Sequence, residues 1–271
     1  MAIARSLPVT VRTLADIVSD RPLPMPEVIV PMREAKLIEG ELCFVFNKEE
    51  INRTATPFRF SVVLSFQRHR LSLDVIRGYI KNRWGLISMP VVGAMRRACN
   101  VLVRLTNEAD FVTAMSREIM DIASVPYKIF HWTPTFNEYE ESVLAPVWIF
   151  LPGLQPHFFH ESTLKIFAGS YGRYLRTDNA TACVSRPEGA RMCGEMDVSK
   201  DHRSYFWIGP PNKTRSHFQE VVFETLPAYC STCRIQGHSK TTCRREKLNA
   251  GKQKKRVSQS KADLKRFERS K

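Results

Sequence analysis

The spacing of apolar residues changes several times along the chain, and each change marks an element. From Phe58 to Phe66 valine, leucine and phenylalanine crowd into a strand-length run, and a polar turn follows. Ser72 then stands where a helix N-cap belongs. Val75, Ile76, Tyr79 and Ile80 recur at helical spacing, one apolar face of a helix ending near Trp84. Short extended pieces fit Ser88 to Val92 and Asn100 to Leu105, Asn107 and Asp110 have the spacing of a helix start, and a strand fits Tyr127 to Trp132. The resulting order, β-α-β-β-α-β, is the split arrangement of ferredoxin-like and RNA-recognition-like folds.

After TPTFNEYEES the pattern starts again at APVWIFLPGL. A strand is expected from Val147 to Leu151, a helix from Ser162 to Ala168, and strands near Tyr174, Met192 to Val198, Ser204 to Ile208 and Glu220 to Glu224. No repeat of the first unit is visible, so the topology of the second stays open. Pro8, Pro22, Pro24, Pro26 and Pro31 interrupt the start of the chain. The expected organisation is α+β: a proline-containing arm (1–40), a ferredoxin-like domain (41–135), a second small α+β unit (145–226), a knuckle (227–245) and a basic tail, disordered or helical (246–271).

Composition narrows the class. With 43% hydrophobic and 25% charged residues the chain cannot be disordered throughout. The net charge of +14 biases it towards polyanions, and much of that excess lies after Arg244. No apolar run reaches membrane-spanning length and the N-terminal MAIARSLPVTVRTL lacks a secretory apolar block, so an intracellular protein without a membrane partner is expected, in nucleus or cytoplasm. The seven cysteines are odd in number and three crowd beside a histidine, which suits metal binding better than disulfides. Cys43, Cys99, Cys183 and Cys193 are expected to be buried and inert, and Trp84, Trp132, Trp148 and Trp207 to belong to the core.

CSTCRIQGHSKTTC places Cys230, Cys233, His238 and Cys243 in a C-x2-C-x4-H-x4-C array. Three thiolates and an imidazole fill a tetrahedral shell, with no vacancy for water or substrate, so one structural Zn2+ is expected. So short a segment buries little, and the metal must supply its folding free energy. Gly237 permits the tight backbone that returns His238 to the cysteines. Arg234 and Lys240 lie inside the knuckle, Arg244, Arg245 and Lys247 follow it, and Lys254, Lys255 and Arg256 extend the strip; together they are the candidate phosphate contacts. For the outer run, a solvated tail or an import signal competes with that reading.

Six blocks in order, LSLDVIRGYIKNRWGL, IFHWTPTF, APVWIFLPGL, GRYLRTDNATA, ARMCGEMDVS and VVFETLPAYCSTCRIQGHSKTTC, resemble a plant family of domains of unknown function that precede a CCHC knuckle. That family is related to the first-reading-frame protein of LINE-type retrotransposons, and the resemblance spans roughly residues 57 to 245. It implies an RNA-binding, chaperone-like role in packaging element transcripts, and only the four zinc ligands and Gly237 carry over. Many retroviral-type knuckles have an aromatic where this chain has Ser231, a glycine is common where it has Arg234, and the third strand ACNVLVRL lacks an aromatic-rich RNP1 pattern.

A zinc-dependent binder of RNA or single-stranded nucleic acid is therefore the leading reading. Its alternative is a protein-interaction or assembly adaptor, self-association included, in which the knuckle only braces its neighbours. No enzyme is expected: GxxxxGKS/T, HExxH and GxSxG are all missing, and Asp197 with Asp201 reads as turn chemistry.

Overall fold

The computed structural model describes residues 24–245. The first part of the 1–40 arm and the whole 246–271 tail, with Lys247, Lys254, Lys255 and Arg256, lie outside the described residues. What is described is a mixed α+β fold in which sheets dominate.

A short hairpin comes first, β1 (Lys36–Ile38) paired with β2 (Glu41–Cys43), turning through Glu39 and Gly40, both at positive φ. It straddles the boundary expected at 40/41: its strands are three residues each and largely exposed, too short to show a period. Helix α1 (Lys48–Ala55) follows, held at its start by reciprocal Asn47–Glu50 capping. KEEINRTA is polar nearly all round and gives no helical stripe, which is why periodicity passed over it.

The first large sheet contains β3 (Val62–Phe66), β4 (Val91–Ala94), β5 (Asn100–Arg104), β6 (Asp121–Ile122) and β7 (Val125–His131) in the order β4-β5-β3-β7-β6, antiparallel at every pairing. Two helices connect it: α2 (Leu73–Arg83), capped by Ser72, and α3 (Glu108–Met115), capped by Asn107. Ile76 and Ile80 from α2 and Phe111, Ala114 and Met115 from α3 bury against Val62, Leu64, Phe66, Val101, Val103 and Ile129. Val75, expected on the apolar face, is exposed, and Tyr79 only partly buried; the stripe is centred on Ile76 and Ile80.

The second sheet, order β13-β8-β10-β9, comprises β8 (Leu144–Pro152), β9 (Gly172–Thr177), β10 (Gly189–Asp197) and β13 (Val222–Phe223). Helix α4 (Glu161–Gly169) precedes β9 and the short α5 (Asn179–Ala182) follows it, while β11 (Tyr205–Ile208) and β12 (His217–Glu220) form a separate ribbon. The strand expected near Glu220 to Glu224 thus splits between that ribbon and β13. APVWIFLPGL is apolar at almost every position because β8 is buried on both faces: Val147, Ile149 and Leu151 join Leu164 and Ala168 of α4, whereas Trp148 joins the core of the first unit.

Two pieces are thereby welded along one seam. The guanidinium groups of Arg191 (4.0 Å from the ring centroid) and Arg176 (5.5 Å) both lie over the Trp148 ring, and Arg191 pairs with Glu118 of the first unit and Glu224 of the second. Arg173 reaches back to Glu108 at 2.6 Å and over Phe111. His131 faces the buried carboxylate of Glu195 at 3.3 Å, lies tilted against the Phe111 ring at 4.7 Å and shares a hydrogen bond with the Arg59 carbonyl.

Of the scattered cysteines, Cys193 is buried, Cys43 and Cys99 are half-buried and Cys183 is exposed at the surface end of α5. Trp84 and Trp148 are core residues; Trp132 and Trp207 are half-buried. No described helix is long and apolar enough to cross a membrane.

Candidate metal centre

The knuckle is a small hairpin, β14 (Tyr229–Cys230) paired with β15 (Ile235–Gln236), followed by a 3-10 turn over Lys240–Thr242 that delivers Cys243. Two residues supply the bends: Arg234 has φ 55 and Gly237 φ 99. Gly237 therefore does what was expected of it, donating its amide to the Ala228 carbonyl at 2.7 Å and turning His238 inward. Arg234 holds a backbone conformation that favours glycine, and its amide donates to the Cys230 carbonyl at 2.7 Å.

These bends bring Cys230, Cys233, His238 and Cys243 together, with one ligand atom of each within 4.8 Å of all the others. Cys233 Sγ and His238 Nε2 are 3.1 Å apart, and the three cysteines are buried with Ile235 packed against them. The donor set and its size are compatible with one metal ion. Their protons compete for one small volume. Burial pushes the Cys230 thiol up, but the Cys233 backbone amide and the neighbouring thiols outweigh it and bring it down to about 6. Cys233 is pushed up to about 11, by burial and then by Cys230 and Cys243. Crowded thiolates of this kind are neutralised together by a divalent cation.

The knuckle does not hang free. Glu141, in the linker between the two units, accepts the Gln236 amide at 2.6 Å and both faces Lys128 Nζ, at 2.8 Å, and donates its own amide to the Arg234 carbonyl at 2.9 Å. Lys128 also donates to the Gln236 carbonyl at 2.8 Å, and the Gln236 side chain donates to the Ser142 carbonyl at 2.8 Å. By strand alternation Lys128 shares the sheet face with Ser65 and Asn100, opposite the helices. Glu138 approaches Asn100 at 3.5 Å and accepts the Arg97 amide at 2.8 Å, so the linker lies over that face.

Residues 55–138 match a family model described as Domain of unknown function (DUF4283). A DUF4283 domain is found here. It spans the first large sheet and α2 and α3 and ends in the linker at Glu138; the second unit and the knuckle lie beyond it. No curated protein matches the chain.

The candidate basic residues fall in different places. Arg234 is held by Glu140, with Nη1 to both carboxylate oxygens at 3.0 and 2.9 Å. Arg245 lines a cleft of about 510 Å³ with Arg97, Arg234, Glu140 and Tyr139 against Cys233. Arg244 and Lys240 are exposed nearby, and Lys240 has a partner of its own. Sequence reasoning passed over Lys128, Glu140, Glu141 and Gln236, which anchor the knuckle. The visible signal was the acidic NEYEES linker, complementary in charge to a basic knuckle downstream.

Proposed function

We propose that this chain is a zinc-dependent nucleic-acid-binding protein of retroelement origin, acting inside the cell on RNA or single-stranded nucleic acid and carrying no catalysis of its own. The observation that carries the proposal is the convergence of three thiolates and one imidazole immediately before exposed Arg244 and Arg245. A thiolate-rich tetrahedral donor set selects zinc over oxygen-seeking cations, and a filled shell makes the metal structural. Lys240, Arg244, Arg245 and the further basic residues of the tail neutralise phosphates, while Arg234 would first have to leave Glu140. The alternating strand–helix order of the first unit and its β4-β5-β3-β7 antiparallel arrangement support the ferredoxin-like reading. The six sequence blocks support the retroelement reading.

A second reading, an assembly adaptor with a bracing knuckle, is favoured by the Lys128–Glu141–Gln236 clamp, which spends the knuckle's inner edge on the protein itself. Fluorescence anisotropy with a labelled single-stranded RNA separates the two. The nucleic-acid reading expects affinity to fall by roughly ten- to a thousandfold as salt rises from about 50 to 200 mM. A flat salt profile would favour the adaptor.

A further inference from the structure

The β11–β12 ribbon has two unlike faces. Its register opposes Tyr205 to Glu220, Phe206 to Gln219, Trp207 to Phe218 and Ile208 to His217. Phe206 and Ile208 pack on the core of the second unit, and fully buried Gln219 donates its side-chain amide to the Pro152 carbonyl at 2.9 Å. Alternation then puts Tyr205, Trp207 and Phe218 on the opposite, outer face. There Tyr205 and Phe218 stack at 5.2 Å between centroids, and Trp207 meets Phe218 edge-on at 5.4 Å. Tyr205 is 44% and Phe218 50% exposed.

Single apolar side chains at a surface need no explanation, but three contiguous rings on one rigid strand pair do. Charge says what they suit. The connecting loop carries exposed Lys213 and Arg215, and exposed Arg203 stands just before β11; none of the three has an ion-pair partner among the described residues. Glu220 shares the outer face at the Tyr205 end, leaving the Trp207 end, next to the loop, the more positive. Rings with cations beyond their edges match alternating bases and phosphates. A duplex hides its base faces and cannot use such a surface, whereas an unpaired strand can.

We propose that the outer face of this ribbon is a stacking platform for consecutive bases of single-stranded nucleic acid, with Lys213, Arg215 and Arg203 taking the flanking phosphates. This rests on the nucleic-acid reading above and adds a second contact surface, distinct from the knuckle and its basic strip. It gives this chain the base-stacking rings that its knuckle, with Ser231 after the first cysteine, does not offer.

The test uses the full zinc-loaded chain, a labelled oligouridylate, its duplex with oligoadenylate, and vesicles of phosphatidylcholine with phosphatidylserine. Tyr205→Ala with Phe218→Ala removes two half-exposed rings from the outer face and leaves Phe206 and Gln219 in the core, so the chain should stay folded, its thermal melt lowered only by the lost ring–ring contacts. Oligouridylate affinity is expected to drop by roughly tenfold or more, Tyr205→Phe with Phe218→Tyr should keep it, and photocrosslinks should map to the Tyr205–Phe218 peptide. If the parent chain binds oligouridylate with the salt dependence given above but the double alanine variant binds equally well, the platform is refuted and the knuckle reading survives. Absence of oligouridylate binding by the parent would defeat both. Vesicle binding that disappears in the double alanine variant while RNA affinity is unchanged would assign the rings to a lipid surface and overturn the proposal.

Discussion

Arg234 shows how much one backbone angle can decide. Its φ of 55 closes the first bend of the knuckle, and a side chain there costs on the order of 1 kcal/mol more than glycine would. Its ion pair with Glu140 is half-exposed and returns only a fraction of that. Arg234→Gly is therefore expected to bind metal at least as tightly as the parent, in a competition titration with a chelator; a marked loss would mean that the Glu140 pair holds the centre together. Cys233→Ser should instead reduce bound metal to near zero, as measured by elemental analysis, with the upstream sheets still folded, and one retained equivalent would contradict the ligand assignment. The ligands could be read directly from spacing, because C-x2-C-x4-H-x4-C constrains chemistry locally. The partners of Lys128 and Glu141 could not, since Lys128 and Gln236 are brought together across more than a hundred residues of chain. Cys193 and Cys183 make the same point: similar in sequence context, they end with one thiol buried and pushed up to about 12 and the other exposed.

At the scale of elements, period and caps did most of the work. Ser72 and Asn107 cap the helices that their spacing announced, and β8 was visible as an apolar run. Elements without an apolar period stayed hidden: polar α1, the exposed β1–β2 hairpin, and two-residue β6. Close packing between strands was equally invisible. A Cβ at Gly172 would stand 2.2 Å from the Glu195 carbonyl oxygen, so Gly172→Ala must push β9 off β10. A loss of about 1–3 kcal/mol is expected from overpacking of this kind, read as a lowered urea midpoint. An unchanged midpoint would show that β9 is looser than its pairing implies. In the clamp, Glu141→Ala removes acceptors from Lys128 and from the Gln236 amide together. Hydrogen exchange at Gln236 should then accelerate, and unaltered protection would mean that the metal alone holds the knuckle.

For the whole molecule, the seam between the two units carries its own pH dependence. Burial alone would lower the His131 pKa, but Glu195, aided by the Arg59 carbonyl, outweighs both burial and Arg173 and raises it above the ordinary value near 6.5. A raised histidine stabilises the fold fully below its unfolded value and loses that contribution as pH rises through the folded one. The parent should therefore lose stability relative to His131→Gln as pH climbs past about 6.5, and parallel profiles for the two would rule the pair out as a source of stability. The seam was not legible beforehand, since β8 and β10 divide their side chains between two cores and sequence period reports burial without saying against what. What ties the molecule to a function is the four-ligand centre lashed to the linker between its halves. Cobalt titration of the full chain tests that centre most directly. The account predicts intense thiolate charge-transfer and tetrahedral d–d bands that saturate at one equivalent, are erased by zinc, and are lost in Cys233→Ser; octahedral spectra, or bands indifferent to that substitution, would contradict it.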